Sequence, residues 1–213
     1  ALQLAENAKD LATLIVAVEP IPVPGRYKLD SDFFYSELLK YLNSQRDLEF
    51  VAFMSTKEAK RSTHTDHILA MDFFDFQVGA SKEKHTEKEV TSKDSVKVGT
   101  ATIEGRKVDV YNKVSAKLTQ HNRKVSSSGL LQVKIIDANR NRLLEERRMP
   151  GTYVWETDWA SYNGDERALT KKQWEMCQKK PARAPSTQDL FYQFTRPIFD
   201  QTKSYLKNYY RKI

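Results

Sequence analysis

The sequence predicts an α+β fold: a mixed sheet that starts with a β-α-β unit, continues as an antiparallel meander and carries its helices on one face. Two observations support this prediction. First, the apolar, β-branched runs at 13–19 and 48–54 enclose a segment whose apolar residues recur at helical spacing. Second, apolar and polar residues alternate through much of 66–148, whereas helical patterns return after 170.

The β-α-β start is defined by local signals. The first strand, 13–19, ends at three prolines in 20–24, which cannot take part in a strand ladder. An N-cap at 30–32 then opens a helix. After the second strand, Ser55 and Glu58 form a capping box that predicts a short helix ending near Arg61.

The segment 66–78 has the strongest strand pattern in the chain. Its alternation changes phase near Phe73 and Phe74, which predicts a β-bulge, because one extra residue moves later side chains to the other face. The highly charged segment 81–94 that follows is interpreted as a solvated hairpin arm or a mobile loop.

A meander is predicted for the middle of the chain, with a polar loop inside it and a break after it. We expect strands at 96–103, 108–120, 130–137 and 143–148, a turn at 104–107, a polar loop at 122–129, a turn at 138–141 and a break at 149–151.

The sequence pattern of the C-terminal part predicts helices. Thr170 caps a helix to about 179, and a Pro- and Ala-containing linker at 181–186 precedes a last helix at about 187–210, which Pro197 should kink or restart. We therefore divide the chain into the end of an upstream helix (1–12), an α+β core domain (13–180), and a linker with a C-terminal helix packing back on that core (181–213).

Charge is distributed unevenly along the chain. The net charge is +7, but residues 1–110 carry 15 basic and 18 acidic side chains and residues 111–213 carry 20 and 10. A basic surface suits nucleic acid, an anionic membrane or an acidic protein, and equally a solvated face. No stretch approaches the 18 apolar residues of a transmembrane helix, and Cys177, the single cysteine, excludes an internal disulfide.

Motifs of the common enzyme classes are missing from the sequence. The seven glycines form neither a phosphate-binding loop nor a dinucleotide fingerprint. His64, Asp66 and His67 lie close in sequence, but strand alternation sends Asp66 and His67 to opposite faces. The sequence therefore predicts no cofactor, no metal site and no catalytic residues.

Aromatic and charged residues crowd one short segment, where they could form a binding surface. Such clusters anchor protein interfaces or bind sugars, and they also plug the open ends of sheets. The candidate interaction surface consists of Tyr153, Trp155, Asp158, Trp159, Tyr162, Asp165 and Arg167.

Several segments resemble a family of uncharacterised Gram-negative envelope proteins, lipoproteins among them, that carry tetratricopeptide-type repeats ahead of this domain. The resemblance rests on LIVAVEPIPVPGRY (14–27), DSVKVG (94–99), YVWETDWASYNGDERAL (153–169) and FYQFTRPI (191–198). More distantly, the β-α-β start and the strand LLQVKIID (130–137) are similar to the anticodon-binding-like fold of the curli-secretion protein CsgG, the N-terminal domain of TolB and the penicillin-binding-protein activator LpoB.

This resemblance implies a non-enzymatic interaction or assembly domain in the cell envelope, periplasmic or attached to the outer membrane. Its expected partners are other envelope proteins, and the expected contacts are the candidate interaction surface and the charged segment 81–94. One alternative is binding or hydrolysis of peptidoglycan or another polysaccharide through Trp155, Trp159, Asp158 and Asp165. A second, less favoured alternative is nucleic-acid binding by the basic C-terminal half, because no recognised motif accompanies its charge.

Overall fold

The computed structural model describes residues 12–62 and 64–213. A mixed sheet accompanied by helices confirms the predicted α+β class. The helix expected at 1–12 lies outside the described residues except for its last position.

Seven strands and four helices make up the described chain. The strands are β1 (Leu14–Val18), β2 (Val51–Ser55), β3 (His67–Thr91), β4 (Val96–Ile103), β5 (Arg106–Asn112), β6 (Ser115–Asp137) and β7 (Arg142–Gly164). The helices are α1 (Lys28–Asn43), α2 (Thr56–Ala59), α3 (Lys171–Gln178) and α4 (Thr187–Tyr210), with short 3-10 turns at Gly25–Tyr27, Arg46–Leu48 and Glu166–Ala168.

The strands form a five-stranded sheet and a separate hairpin. The order in the sheet is β2-β1-β3-β6-β7, so β2 and β7 are its edges. Strand β1 pairs in parallel with both neighbours, with Leu14 opposite Val51 and Val16 opposite His67. Within the described residues, strands β4 and β5 pair only with each other, antiparallel.

The described chain folds into two compact units. The first, called here the helix-covered unit, comprises 12–79, 126–153 and 185–213. The second, called the hairpin unit, comprises 80–125 and 154–184. Strands β3, β6 and β7 each contribute residues to both units.

The main hydrophobic core lies in the helix-covered unit. Leu38 of α1 and Phe194 of α4 are fully buried against strand residues such as Val16, Leu69 and Val133. Complete burial of a side chain of this size contributes about 1.5–3 kcal/mol relative to exposure. The repeated burial of one face of α1 and of α4 therefore explains why these two segments are helical and remain on the sheet.

Strand β3 shows the predicted change of face. Leu69, Met71 and Phe73 point into the core, and then Phe76 and Val78 take over that role. Asp75, at the point of change, has a left-handed backbone with φ of 51°. An extra residue in this conformation restores apolar side chains to the core side.

The break predicted at 149–151 is wrong, because β7 runs through it. Pro150 is tolerated since β7 is an edge strand, where a missing N–H need not face a neighbour. Gly151 lies against the backbone carbonyl of Phe194 and the side chain of Ile198, where any Cβ would overlap. The Pro-Gly pair thus marks a close helix contact and not a chain break.

The polar loop predicted at 122–129 is also wrong, because these residues belong to the 23-residue strand β6. The strand predicted at 108–120 is interrupted instead at Lys113 and Val114. Buried Ser92 fixes the chain there: its hydroxyl accepts from the Val114 N–H at 3.1 Å and donates to the Asp94 carbonyl at 2.8 Å. The predicted charged arm is strand up to Thr91.

The helix starts predicted at Ser55 and Thr170 are confirmed, whereas the N-cap predicted at 30–32 is wrong, because α1 begins at Lys28 and those residues lie within its first turns. Capping boxes are present at Ser55 with Glu58, at Thr170 with Gln173 and at Ser186 with Asp189. Helix α4 continues past Pro197 as one element instead of restarting there.

Candidate interaction surface

The structure separates the seven residues of the predicted surface. Tyr153 belongs to the helix-covered unit and packs against its core, whereas the other six lie in the hairpin unit. Side chains alternate along β7 up to Trp159, so Trp155 and Trp159 point to one face of the strand and Asp158 to the other. Tryptophan and carboxylate therefore do not line one common groove.

Trp159 is buried in a stack that spans three neighbouring strands. The imidazole of His121 lies parallel to its indole, with centroids 5.0 Å apart and an angle of 3° between the planes. The guanidinium carbon of Arg123 lies 5.2 Å from the indole centroid. Glu83 of β3 accepts from Arg123 Nε at 3.0 Å and Nη2 at 2.9 Å, and its other oxygen lies 3.9 Å from His121 Nδ1. The indole is thus part of the packing of this unit.

Carboxylates of β7 are engaged on the other face. Asp158 accepts from Lys179 Nζ at 3.1 Å. Glu156 accepts from the side-chain amide of Asn122 at 2.6 Å and from Lys124 Nζ at 3.1 Å. These donors stabilise the ionised form and lower the pKa of Glu156 below its ordinary value.

Asp165 and Arg167 form a local brace. Asp165 Oδ1 accepts from the backbone N–H of Arg167 at 3.0 Å and from its Nε at 2.9 Å, which caps the 3-10 turn. Hydrogen bonding by Arg167 lowers the pKa of Asp165 to about 2. Arg167 Nη1 also donates to the Lys97 carbonyl at 2.8 Å, so the brace holds the start of β4.

The charged arm supplies counter-ions to the basic half of the chain. Glu87 of β3 pairs with Lys117 of β6 at 2.6 Å, and Glu83 pairs with Arg123. All residues from 81 to 89, including these two glutamates, are exposed. Part of the C-terminal positive charge is therefore balanced by acidic residues from the N-terminal half.

One face of the β4–β5 hairpin is open to solvent and largely apolar, with Arg106 opposite Ile103 at its turn end. Residues opposite each other in an antiparallel pair point to the same side, and the register pairs Gly99 with Val110 and Ala101 with Val108, two positions before Ile103. Ile103 is 59% exposed, Val108 45% and Val110 40%. The opposite face is mainly polar. An ion pair of 2.7 Å joins Lys97 to Asp109 there, next to the exposed ring of Tyr111.

The alternating pattern predicted strands at 96–103 and 108–120, but it did not indicate which face of them would remain exposed. The hairpin face was therefore missed as a candidate contact surface.

Other candidate chemistry in the described residues is explained by structure. No group of three or more His, Cys, Asp or Glu among residues 12–62 and 64–213 is placed to hold a metal ion. Asp66 accepts from the Ile15 N–H at 2.8 Å and lies 3.4 Å from His64. Burial raises the pKa of the Cys177 thiol, which favours the protonated form over a nucleophilic thiolate.

Within the part of the chain that the structure describes, no helix is both long enough and apolar enough to cross a bilayer.

Comparison with known proteins identifies no family for this chain. No protein-family model matches the chain, and no curated protein matches it. Among solved structures, it is similar to the crystal structure of a protein described as a neuraminyllactose-binding hemagglutinin homologue from Helicobacter pylori. The identity is 9%, the match covers 94% of this chain and 91% of that one, and the TM-score is 0.40. A likeness at this level assigns neither a family nor an activity to the chain.

Proposed function

We propose that this chain is a non-enzymatic protein-interaction domain of a cell-envelope protein, and that it binds its partner through the apolar face of the β4–β5 hairpin. The observation that carries the proposal is the exposure of Ile103, Val108 and Val110 on one side of a two-stranded sheet. The envelope setting rests on the sequence resemblance described above.

A two-stranded hairpin that exposes an apolar face to water is energetically unfavourable. Isolated hairpins of this kind are marginally stable, and contiguous exposed apolar surface commonly marks a protein contact. The hairpin is nevertheless fixed at its base, where Arg167 holds the Lys97 carbonyl and Ser92 holds Val114. A braced element with an open apolar face suits a docking role, because little ordering is needed on binding.

The polysaccharide alternative receives less support. Trp159 is buried beside His121 and Arg123, so its indole offers little free surface to a sugar ring. Hydrolysis of a glycosidic bond needs a carboxylic acid that stays protonated near neutral pH. Asp165 and Glu156 have lowered pKa values, the opposite of that requirement.

Affinity capture with matched variants tests the proposal. The wild-type chain, the variant with Val108→Ser and Val110→Ser, and a control with Thr100→Ser and Thr102→Ser on the polar face are each used to capture proteins from detergent-solubilised envelope at moderate salt. We expect one stoichiometric protein with the wild type and the control, and a loss of about tenfold or more with the double valine variant.

Two outcomes would contradict the proposal. Equal recovery of that protein by the double valine variant would remove the hairpin as the contact. Retention of peptidoglycan fragments by all three chains, without a stoichiometric protein, would favour the polysaccharide alternative. Far-UV circular dichroism and thermal unfolding of each variant verify that folding is unchanged.

A further inference from the structure

A cavity of about 220 Å³ lies between α1 and α4 in the helix-covered unit. Its walls come from positions 30, 33, 34 and 37 of α1 and from positions 192, 195, 196 and 199 of α4. Both sets have the spacing that places side chains on one helix face. Because a cavity of about 150 Å³ can hold benzene, this one has room for a small organic group and not merely for a water molecule.

Aromatic rings form most of the wall. Phe33 is 56% exposed and Tyr192 is 50% exposed, so both rings stand open to solvent at the cavity. Phe34 is buried beneath them and meets Phe199 edge-on, with centroids 5.0 Å apart. The recess thus offers an apolar floor and the open faces of two aromatic rings, a setting that attracts cations and apolar groups alike.

Asp30 contributes a carboxyl group to the wall of the same cavity. Its Oδ2 atom is buried and has no hydrogen-bond partner among the described residues. Desolvation, with a smaller contribution from the nearby charge of Asp189, raises its pKa. A cation in the cavity would supply the favourable electrostatic partner that this carboxyl group lacks among the described residues.

The charge of the lining is acidic overall. Asp30 and Glu37 supply two carboxylates, and Glu37 is only loosely paired, 3.9 Å from Lys40. Arg196 supplies one positive charge, is exposed, and makes no ion pair with either carboxylate in the described chain. With Asp189 close to Asp30, the cavity favours a positively charged guest over a negative one.

We propose that this cavity binds an organic ammonium group carried on a short apolar chain, with the ammonium donating to Asp30 and the chain lying between Phe33 and Tyr192. Either a free alkylamine or a lysine side chain of another protein presents this chemistry. The site lies in a different unit from the hairpin face and does not depend on it.

Titrations monitored by NMR test the assignment on the full chain, labelled with nitrogen-15. The probes are n-hexylammonium, its neutral analogue 1-hexanol, its anionic analogue hexanoate, and Nα-acetyl-lysine methylamide. We expect saturable shifts at α1 and α4 with hexylammonium and about tenfold weaker binding of hexanol. Binding of the lysine derivative with similar affinity would identify a protein lysine as the guest, and its failure beside hexylammonium would identify a free amine.

Three variants distinguish specific binding of an ammonium group from unspecific binding of apolar molecules in the cavity. Asp30→Asn should weaken hexylammonium binding about tenfold, and Asp32→Asn, which alters an exposed carboxylate of the same helix outside the lining, should leave it unchanged. Arg196→Gln should strengthen binding, because it removes the competing positive charge. Equal affinity for hexanol, unchanged binding in Asp30→Asn, or saturable hexanoate binding lost in Arg196→Gln would each overturn the proposal.

Discussion

Gly151 of β7 lies directly against the backbone carbonyl of Phe194 in α4, at a separation that leaves no room for a Cβ atom. The side chain of Ile198 closes the other side of this contact. Gly129 of β6 is similarly enclosed, by Phe76 and the Phe194 ring. Two glycines on adjacent strands therefore allow the last helix to approach the sheet closely.

Adding one methyl group at this contact should destabilise the fold. Gly151→Ala places a Cβ against main-chain atoms that cannot rotate away, and we expect a loss of about 1–3 kcal/mol in the free energy of unfolding, measured with urea. Gly99→Ala is the control, because a Cβ at position 99 meets nothing within 4 Å. Equal stability of the two variants would contradict the close approach of α4.

The brace between Asp165 and Arg167 predicts a stability change in acid. The folded pKa of Asp165 is about 2 against an ordinary 3.8, so its contribution is present above about pH 4 and is lost as the pH falls towards about 2. Asp165→Asn should therefore be less stable than wild type at pH 5, with the difference shrinking by pH 2.

Urea midpoints at several pH values in this range measure the effect. Asp32→Asn should follow the wild-type curve, because the exposed Asp32 carboxylate makes no hydrogen bond or ion pair within the described chain. A constant difference between Asp165→Asn and wild type from pH 5 to pH 2 would assign the brace a role independent of its charge.

The N-cap of α4 predicts a moderate loss of stability. The Ser186 hydroxyl accepts from the Asp189 N–H at 3.1 Å and donates to the Asp189 carboxylate at 2.6 Å. Ser186→Ala should cost about 1 kcal/mol, whereas Ser186→Thr should retain most of the stability, since threonine is also an N-cap and its hydroxyl can make both hydrogen bonds. Thermal unfolding distinguishes the two, and equal losses in both variants would contradict the capping role of the hydroxyl.

The hairpin face should contribute little to the stability of the free chain. Val110→Thr keeps the shape and strand preference of valine, and Val110 is exposed, so we expect a change within about 0.5 kcal/mol in urea unfolding. The matched control is Val133→Thr in the core, which should cost clearly more because its hydroxyl is buried. A large loss at Val110 would mean that this face is already packed within the chain.

Signals confined to a few residues allowed accurate prediction from the sequence. The capping box at Ser55, the N-cap at Thr170 and the change of face in β3 depend on near neighbours in the chain, and the structure shows each of them. Features that depend on distant partners were missed. Pro150 and Gly151 look like the end of a strand unless it is known that α4 packs against β7 at this point.

The candidate site illustrates the same distinction. Residues 122–129 look like a loop because they are polar, yet Asn122 and Arg123 bond to Glu156 and Glu83 on neighbouring strands. Sequence proximity grouped Trp159 with Asp158, whereas strand alternation sends them to opposite faces. Composition alone reveals neither which strands pair nor which face of a strand a side chain occupies.

The two parallel neighbours of β1 have a consequence for synthesis of the chain. Val18 pairs with Ser55 and with Leu69, which leave the ribosome long after it. At about 5–20 residues per second, the apolar sequence Leu14–Val18 remains without its second partner for roughly 3–10 s. During that interval a nascent, uncharged strand of high β-propensity is exposed, so early folding of this protein should depend on chaperone protection more than its modest length suggests.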